Sequence, residues 1–560
     1  MAAQLSEATP NEARDAARDA ARDAAHDAAR DAAHDAAHDA AHDAARADEP
    51  VAEARGITRA ASVIALGNIA SRLLGLARET LLANLFGAGA VVDAFRVAII
   101  IPRSIFDLLI GGHASSALVP VFSEYASQRG KAALWQLASA MLSLVAAVMA
   151  ALVLLVEALA PTLVYLFSSG YPDQVQAHAT ALLRITAPAI LFLSLAAVLT
   201  GLLYALKRFA LASFVGAAFN GTIVAATALF AAQLGITAMA LGWLLGALAQ
   251  VLLQWPALRD ARLRFSLAWR HPGVRRIFAL YGPVMFTLVV DVLFLRPVSY
   301  NLASQTGEGS ISYMEFATQL TQLPHGLVAT AISIAVLPTL SRQAAHLNGA
   351  YKATLGQGLR MVILLIVPAA MGLLALAVPV IDLILEHGAF TARDTEMTAL
   401  ALRLYLVGLP FAALDLLLVY AFYAQQDTLT PAAVGVLSVV VYMATALALI
   451  GPLGLFSLMI ADSVKHVTHA GVSGYLLRRR IGALTGQRVP GTAARALFAA
   501  LVMSAVTLAA LGVIGGRFGD DSLASETLRA AIPAGLGFVA YVGLVLALGG
   551  RGLIDEKPSA

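Results

Sequence analysis

Long apolar segments follow one another along most of the chain, and each is long enough to cross a lipid bilayer. About twenty apolar residues in a helix span a hydrocarbon core of ~30 Å. Because the connections between these segments are short, the pattern predicts an all-α polytopic membrane protein with about fourteen transmembrane helices and no large soluble domain. The predicted spans lie near residues 58–84, 90–113, 132–157, 176–205, 209–233, 235–255, 273–303, 310–340, 353–384, 396–424, 429–450, 452–477, 492–516 and 527–549.

The apolar pattern also contains an internal repeat. The segment ALVPVFSEYA (117–126) matches AVLPTLSRQA (335–344) at an offset of 218, and LYALKRFALASFVG (203–216) matches FYAQQDTLTPAAVG (422–435) at an offset of 219. Since the offset covers six predicted helices, an even number, both copies have the same orientation in the membrane. Parallel repeats of this kind predict two six-helix lobes that face one another across a central path, with two extra helices at the C-terminal end.

A polar, low-complexity tail precedes the first span. Residues 15–46 repeat Asp-Ala-Ala followed by Arg or His, a composition that favours helix. The period of four drifts around a helix of 3.6 residues per turn, so no fixed apolar seam forms and no docking role is expected. The predicted organisation is a tail over 1–57, an N-terminal lobe over 58–255, a cytoplasmic amphipathic linker over 256–272, a C-terminal lobe over 273–480, two extra transmembrane helices over 481–550 and a cytoplasmic tail over 551–560.

Composition and charge agree with this class. The 560 residues are 59% hydrophobic and 13% charged, whereas soluble domains contain about 25% charged residues. The chain has no cysteine, which excludes disulfides, thiol catalysis and Cys-based metal sites. Basic residues concentrate in alternate connections, so the positive-inside rule places those connections and both termini in the cytoplasm. The connections carry Arg129, Lys131, Lys207, Arg208, Arg259, Arg262, Arg264, Arg270, Arg275, Arg276, Arg342, Lys352, Arg478, Arg479 and Arg480.

The first two predicted spans are unusual because they carry many charged residues. A charge at the centre of a bilayer costs a few kcal/mol on insertion scales, so such residues point to an ion or ligand path. The planar fork of arginine suits phosphate oxygens, and neighbouring carboxylates can hold the fork in place. Mutual ion pairs between the helices, or side chains that snorkel to the interface, remain the alternative. The residues concerned are Arg72, Arg78, Glu79, Asp93, Arg96, Arg103 and Asp107, of which Asp93 and Arg96 share a helix face.

At these residues the chain resembles a known family. The segment SRLLGLARETLLANLFGAGAVVDAF (71–95), followed by a proline-containing second helix and by SSALVPVFSEY (115–125), is similar to the lipid II flippase family (MurJ/MviN) of the multidrug/oligosaccharidyl-lipid/polysaccharide exporter superfamily. The resemblance extends over about 58–550. It implies that lipid II, a polyprenyl-diphosphate-linked peptidoglycan precursor, moves from the cytoplasmic to the periplasmic leaflet of the bacterial cytoplasmic membrane by alternating access. It also implies a cationic cavity for the headgroup and a groove for the lipid beside the two extra helices.

The chain departs from the family pattern at positions that matter for such a cavity. Phe106 stands where relatives usually carry an arginine, and Gln319 and Gln322 replace a usual arginine and a usual acid. Arg103, one helical turn before Phe106, and Arg296 on the seventh span are therefore candidates to supply the missing charges. The alternatives are that Arg103 pairs with the carboxylate four residues further on and that Arg296 is an interfacial anchor.

Other charged residues within the predicted spans suggest coupling or structural roles. Asp291 and Asp415 are candidates to bind a coupling cation, whereas Asp462 and Lys465, three residues apart, predict a structural pair. The eleventh span offers no carboxylate, which weakens any transfer of a family sodium site to this chain. Coupling to the membrane potential or to a monovalent ion is expected, with no cofactor, metal site or nucleic-acid partner.

The predicted function is therefore lipid II flipping. Three alternatives stay open: a flippase for another lipid-linked oligosaccharide, a multidrug/cation exporter of the same superfamily, and a non-transporting scaffold paralogue. A cation exporter needs net negative charge in its site, which the excess of arginine opposes. A membrane glycosyltransferase or phosphatase needs metal-binding carboxylates or a His/Arg cluster on a sizeable loop, and these loops are short, so no enzymatic activity is expected.

Overall fold

The computed structural model describes residues 21–22, 25–26, 30, 62–109, 114–266, 268–344, 349–514 and 523–549. The chain divides at Gly67 into two compact units, Met1–Gly67 and Asn68–Ala560. All regular secondary structure in the described ranges is helical, so the predicted all-α class is confirmed. Most of the tail repeat lies outside the described residues, and the predicted lobe and linker boundaries stay predictions.

Twenty α-helices follow one another between residues 62 and 549 of the described chain. Single turns of π-helix join three consecutive pairs: Tyr125–Arg129 joins α3 to α4, Asp291–Leu295 joins α10 to α11, and His325–Ala329 joins α12 to α13. The helices α1 to α20 cover, in order, 62–86, Ala90–Leu109, Ala114–Glu124, Gly130–Ser168, Asp173–Thr186, Ala189–Ala205, Phe209–Ser213, Val215–Leu234, Thr237–Gln254, Pro272–Val290, Arg296–Ser304, Ser310–Pro324, Thr330–Gln343, Gly349–Ala375, Ala377–Leu385, Ala392–Ala424, Leu429–Leu453, Phe456–Ile481, Val489–Ile514 and Leu523–Ala547.

Ten helical stretches in the described residues are long and apolar enough to cross a membrane. The other predicted spans coincide with α1, α2, α10–α11 and α18, which are helical but carry charged residues. The third predicted span, 132–157, is too short: the helix runs over Ala117–Ser168, because its backbone continues through a π-turn where charged residues interrupt the apolar pattern. The total of about fourteen spans stays a prediction that agrees with this arrangement.

The internal repeat is visible in the backbone. Lys207 and Gln426, neither of them glycine, both have positive φ, at 58° and 59°. Gly235 and Gly454 also match, at 56° and 53°, and the separation is the same for both pairs (426 − 207 = 454 − 235 = 219). Positive φ is uncommon outside glycine, so two shared turns at one offset confirm that the halves have corresponding helices. The same offset relates α5–α6 to α16 at both ends.

The C-terminal half is held together by close helix crossings. Gly408 on α16 packs against Ser463 on α18 so tightly that a Cβ at residue 408 would lie 2.6 Å from the Ser463 Cα atom. The Ser463 hydroxyl donates a hydrogen bond of 2.6 Å to the Leu404 carbonyl. Small residues permit this approach between membrane helices, where packing and hydrogen bonds replace the hydrophobic effect. As a result, ionisable residues further along α16 and α18 face one another.

Candidate functional site

A cavity of ≈ 410 Å³ lies between the two halves of the unit formed by residues 68–560. Side chains from α1, α2, α8 and α9 line one side, and side chains from α12 line the other. Charged and amide groups are concentrated there, which is costly inside a membrane unless a polar ligand or water uses them. The polar lining side chains include Arg72, Arg78, Glu79, Arg103, Asp107, Asn220, Gln250, Gln319 and Gln322.

Arg78 is fixed in this cavity by two hydrogen bonds and an aromatic ring. Its Nη1 donates to Asn220 Oδ1 at 3.0 Å, and its Nη2 donates to Glu79 Oε1 at 2.6 Å. Its guanidinium carbon lies 5.6 Å from the centroid of the Trp243 ring, within the range of a cation–π contact. Asn220 is itself anchored, since its Nδ2 donates to the Ser71 carbonyl at 3.1 Å. The guanidinium therefore has a defined orientation before any ligand arrives.

Glu79 is shared between Arg78 and a second arginine, Arg96 on α2. Arg96 is 2% exposed and donates to both Glu79 oxygens, through Nη1 at 3.4 Å and through a short contact from Nη2. Its guanidinium carbon lies 4.9 Å from the centroid of the Phe316 ring on α12. The sequence placed Arg96 beside Asp93 on one helix face, but the side chain bonds Glu79 on α1 instead.

Arg72 reaches across the cavity to the other half. A Cβ at Gly326, in the π-turn between α12 and α13, would lie 2.5 Å from Arg72 Nη2 and 3.1 Å from its Cζ. A side chain at residue 326 would therefore require the Arg72 guanidinium to move. Arg72 therefore lines the cavity while it packs against the backbone of the opposite half.

Asp107 connects the two arginines that the sequence offered as replacements. Arg296 Nη1 donates to Asp107 Oδ2 at 2.9 Å and to Ser104 Oγ at 3.3 Å. Arg103 Nε lies 4.0 Å from the same Asp107 oxygen, which is too long for a hydrogen bond, and half of the Arg103 side chain is exposed. Arg103 lines the cavity together with Phe106, whereas Arg296 is outside the described lining and acts on Asp107.

Asp93 lies away from the cavity, at the end of the molecule where α1 joins α2. Its Oδ2 accepts hydrogen bonds from the Tyr171 hydroxyl and the Gly309 N–H, both at 2.6 Å, and its Oδ1 accepts from the Ser312 N–H at 2.8 Å and hydroxyl at 2.6 Å. Since α12 begins at Ser310, this fully buried carboxylate caps a helix of the opposite half. We therefore assign Asp93 to the contact between the halves.

Further contacts at the same end bring the two halves together. The Ala389 N–H donates to the Asn84 carbonyl at 2.7 Å, and the Gly170 N–H donates to Ser304 Oγ at 3.0 Å. A Cβ at Gly87 would lie 2.7 Å from the Ala389 carbonyl oxygen, so the backbones touch. We refer to these contacts, together with the hydrogen bonds of Asp93, as the gate contacts.

The two candidate coupling residues have different outcomes. Asp415 on α16 faces a separate cavity in the C-terminal half, where it contacts His469. Asp291 begins the π-turn Asp291–Leu295, but its side chain lies outside the described part of the structure. Asp462 and Lys465 form the predicted pair. Among the described residues, no group of three or more His, Asp or Glu side chains is arranged to hold a metal ion.

Comparison with known proteins agrees with this arrangement. A family model described as lipid II flippase MurJ matches residues 82–525. The lipid II flippase MurJ of Burkholderia cenocepacia is 36% identical over 66% of this chain and 74% of its own length. A probable lipid II flippase MurJ of Haemophilus influenzae is 33% identical over 73% of this chain and 83% of its own length.

Solved structures show the same likeness. A lipid II flippase MurJ in an inward closed conformation superimposes with a TM-score of 0.72 at 25% identity, covering 88% of this chain and 99% of the other. An inward-facing multidrug resistance MATE transporter, at 16% identity, shares the fold with a TM-score of 0.63 over 74% of this chain and 95% of its own. With a family model matched over most of its length and these relatives, the chain belongs to the lipid II flippase MurJ family.

Proposed function

We propose that this chain moves lipid II from the cytoplasmic to the periplasmic leaflet of the bacterial cytoplasmic membrane, without covalent chemistry. The observation that carries the proposal is the charge balance of the central cavity. Three arginines and two carboxylates line it. Two further arginines, outside the described lining, bond those carboxylates, so the local sum is five positive charges minus two negative, or +3. A diphosphate headgroup is the anion that suits such a site.

Arginine geometry suits the binding of a diphosphate. Each guanidinium can donate two parallel hydrogen bonds to phosphate oxygens, and a hydrogen bond to a charged group contributes about 1.5–3 kcal/mol. Arg78 is held by Asn220 and Glu79, so little side-chain entropy is lost when it binds. Arg103 is half exposed and near 4.0 Å from its carboxylate, so it can turn towards a ligand. We assign Arg78 as the fixed contact and Arg103 as the adjustable one.

The gate contacts support a mechanism of alternating access. With both termini in the cytoplasm, as the positive-inside rule predicts, α1 ends at the periplasmic side and the gate contacts lie there. The cavity then receives its headgroup from the cytoplasmic side. Release into the periplasm requires the hydrogen bonds of Asp93 to break while the two halves rotate. The membrane potential, or a monovalent ion, supplies the driving force.

The alternatives are distinguished by charge and by the headgroup. A multidrug/cation exporter shares this fold, but a cavity with a local sum of +3 repels organic cations. A flippase for another lipid-linked oligosaccharide would use the same arginines, because the diphosphate is common to both substrates. Only the sugar and peptide portion distinguishes those two, so the substrate itself has to be tested.

Complementation tests the proposal directly. Bacteria depleted of their own lipid II flippase should grow when they express this chain, and spheroplasts should translocate labelled lipid II. Arg78→Ala should abolish both at normal protein abundance, because alanine cannot bind phosphate. The matched control is Arg184→Ala. This arginine is exposed, does not belong to the described cavity lining, and lies 4.0 Å from Glu157, which is too far for a hydrogen bond. Growth of the Arg78→Ala strain at wild-type rate, or failure of the wild-type chain to complement, contradicts the proposal.

A further inference from the structure

A second cavity, of ≈ 310 Å³, lies within the C-terminal half. It is bounded by α16, α17, α18 and the junction of α10 with its π-turn, and it shares no described lining residue with the central cavity. Five titratable side chains line it among apolar ones: Asp415, Tyr423, Lys465, His466 and His469. The proposed binding of a diphosphate uses none of them.

The ionisable groups form one pair between facing helices and one group of three on α18. His469 Nδ1 on α18 makes a short contact with Asp415 Oδ1 on α16, and the Ser473 hydroxyl lies 3.4 Å from the same nitrogen. Lys465 contacts Asp462, and His466 Nε2 lies 3.5 Å from the other oxygen of that carboxylate. Buried charges are costly unless they are paired, and removal of one charge leaves its partner uncompensated.

We propose that the Asp415–His469 pair is a proton-binding site whose occupancy biases the alternation between the two conformations of the protein. With one proton, Asp415 and His469 together carry no net charge, whether the proton lies on the carboxylate or on the imidazole. Without the proton, the pair carries one negative charge. Lys465 cannot neutralise that charge while it is bonded to Asp462. Histidine is the side chain whose ordinary pKa lies closest to physiological pH, so it suits a proton site, whereas the ammonium group of Lys465 disfavours a metal cation in the same cavity.

The surroundings of the Asp415–His469 pair are mostly apolar, so a change in the charge of the pair has a large electrostatic energy. The titratable groups that face it are Tyr423 from α16 and Lys465 and His466 from α18, with Ser438 as the polar lining residue of α17. From the π-turn between α12 and α13, His325 hydrogen-bonds the Ala412 backbone and interacts with Asp415. Val290 at the end of α10 and Leu295 at the end of the following π-turn also line the cavity. The Asp291 side chain is outside the described part of the structure.

One π-turn connects this cavity with the central one. His325 interacts with Asp415, while the next residue, Gly326, packs against the Arg72 guanidinium. Single turns of π-helix inside α-helices are found frequently at functional sites. A shift of the His325–Ala329 turn on loss of the proton would therefore move the wall against which Arg72 packs. The link to transport rests on the proposed function, but the conformational effect does not.

The absence of cysteine allows a direct measurement of this effect. Spin labels at Gln233→Cys on α8 and Glu396→Cys on α16, both exposed, report the distance between the halves near the gate contacts. The protein is reconstituted without lipid II in nanodiscs of phosphatidylethanolamine and phosphatidylglycerol and measured from pH 5 to pH 9. The His469–Asp415 contact is present together with the closed gate contacts, and we assign the proton to this gate-closed state. The ratio of short to long distances should therefore fall about tenfold per pH unit through a one-proton transition.

Three variants test the assignment. His469→Gln and Asp415→Asn should each flatten the titration, whereas His178→Gln, on α5 and away from the cavity, should leave it unchanged. A distance ratio that does not change with pH in the otherwise wild-type protein overturns the proposal, as does a titration that persists in either cavity variant. Because lipid II is absent, failure of these measurements is separate from failure of complementation. If both succeed, an imposed pH gradient should accelerate translocation by the wild type and not by His469→Gln.

Discussion

The Arg96–Glu79 pair gives the sharpest test of how the central site is held. Arg96→Met keeps most of the side-chain volume but removes the partner that bonds both Glu79 oxygens. Breaking a buried ion pair costs about 3–5 kcal/mol, and Arg78 still bonds one Glu79 oxygen, so we expect a loss of about 3 kcal/mol. Reversible unfolding in mixed micelles measures this free energy.

The double variant Arg96→Met/Glu79→Gln separates stability from function. With both charges removed, Glu79 no longer leaves an uncompensated buried carboxylate, and Arg78 keeps its hydrogen bond to Asn220, so most of the lost stability should return. Transport should stay impaired, because Arg78 has lost the carboxylate that orients it. We expect KM for lipid II to be about tenfold above the wild-type value, equal to ~1.4 kcal/mol of binding free energy. A positioning role thus predicts recovered stability with persistently raised KM.

Two controls make the result decisive. Arg184→Met removes an arginine whose side chain is 56% exposed and 4.0 Å from Glu157, so the change in the free energy of unfolding should stay below about 1 kcal/mol. Arg96→Lys keeps a charge but lacks the planar fork that makes two parallel hydrogen bonds to a carboxylate, so partial stability is expected. If Arg96→Met unfolds at the wild-type free energy, or if the double variant transports with wild-type KM, the reasoning is wrong.

Three further predictions concern the cavity, the gate and the tail. Arg103→Ala should abolish translocation at normal abundance and Phe106→Arg should restore part of it, because three helical residues rise only about 4.5 Å; a fall in abundance instead indicates a structural pair with Asp107. Asp93→Asn should lower the ratio of short to long spin-label distances at least tenfold, because an amide nitrogen cannot accept the hydrogen bonds that a carboxylate oxygen accepts; an unchanged ratio contradicts the gate role. Deletion of residues 11–48 should leave translocation intact, since the repeat has no fixed apolar face; loss of transport at normal insertion contradicts this.

The sequence predicted the helices that carry the charged residues better than it predicted the contacts of those residues. Helical periodicity and charge placed Arg72, Arg78, Glu79 and Arg103 on the first two spans, and all four line the central cavity. The repeat was also readable, because turns of the same geometry recur at one offset. Such features depend on local sequence, so a single chain is enough to find them.

The partners of Asp93 and Arg96 required the tertiary structure. Asp93 bonds Gly309, 216 residues away, and no local pattern marks that pairing. Arg96 and Asp93 do share a helix face, but the direction of a long side chain depends on the neighbouring helix, and Glu79 on α1 provides the nearer carboxylate. Periodicity specifies a face of a helix, whereas the contact made there depends on packing.

The pattern of arginines keeps the central cavity cationic although two of its lining positions, where the sequence resemblance implies arginine, are uncharged. These two lining residues are Phe106 and Gln319. Arg96 and Arg296 add positive charge from outside the described lining, where Arg96 bonds Glu79 and Arg296 bonds Asp107. The local sum of charges is therefore positive, and a diphosphate responds to this sum at longer range than to any single guanidinium. Contacts to the sugar and peptide, which need exact positions, are therefore where this chain should differ from its relatives.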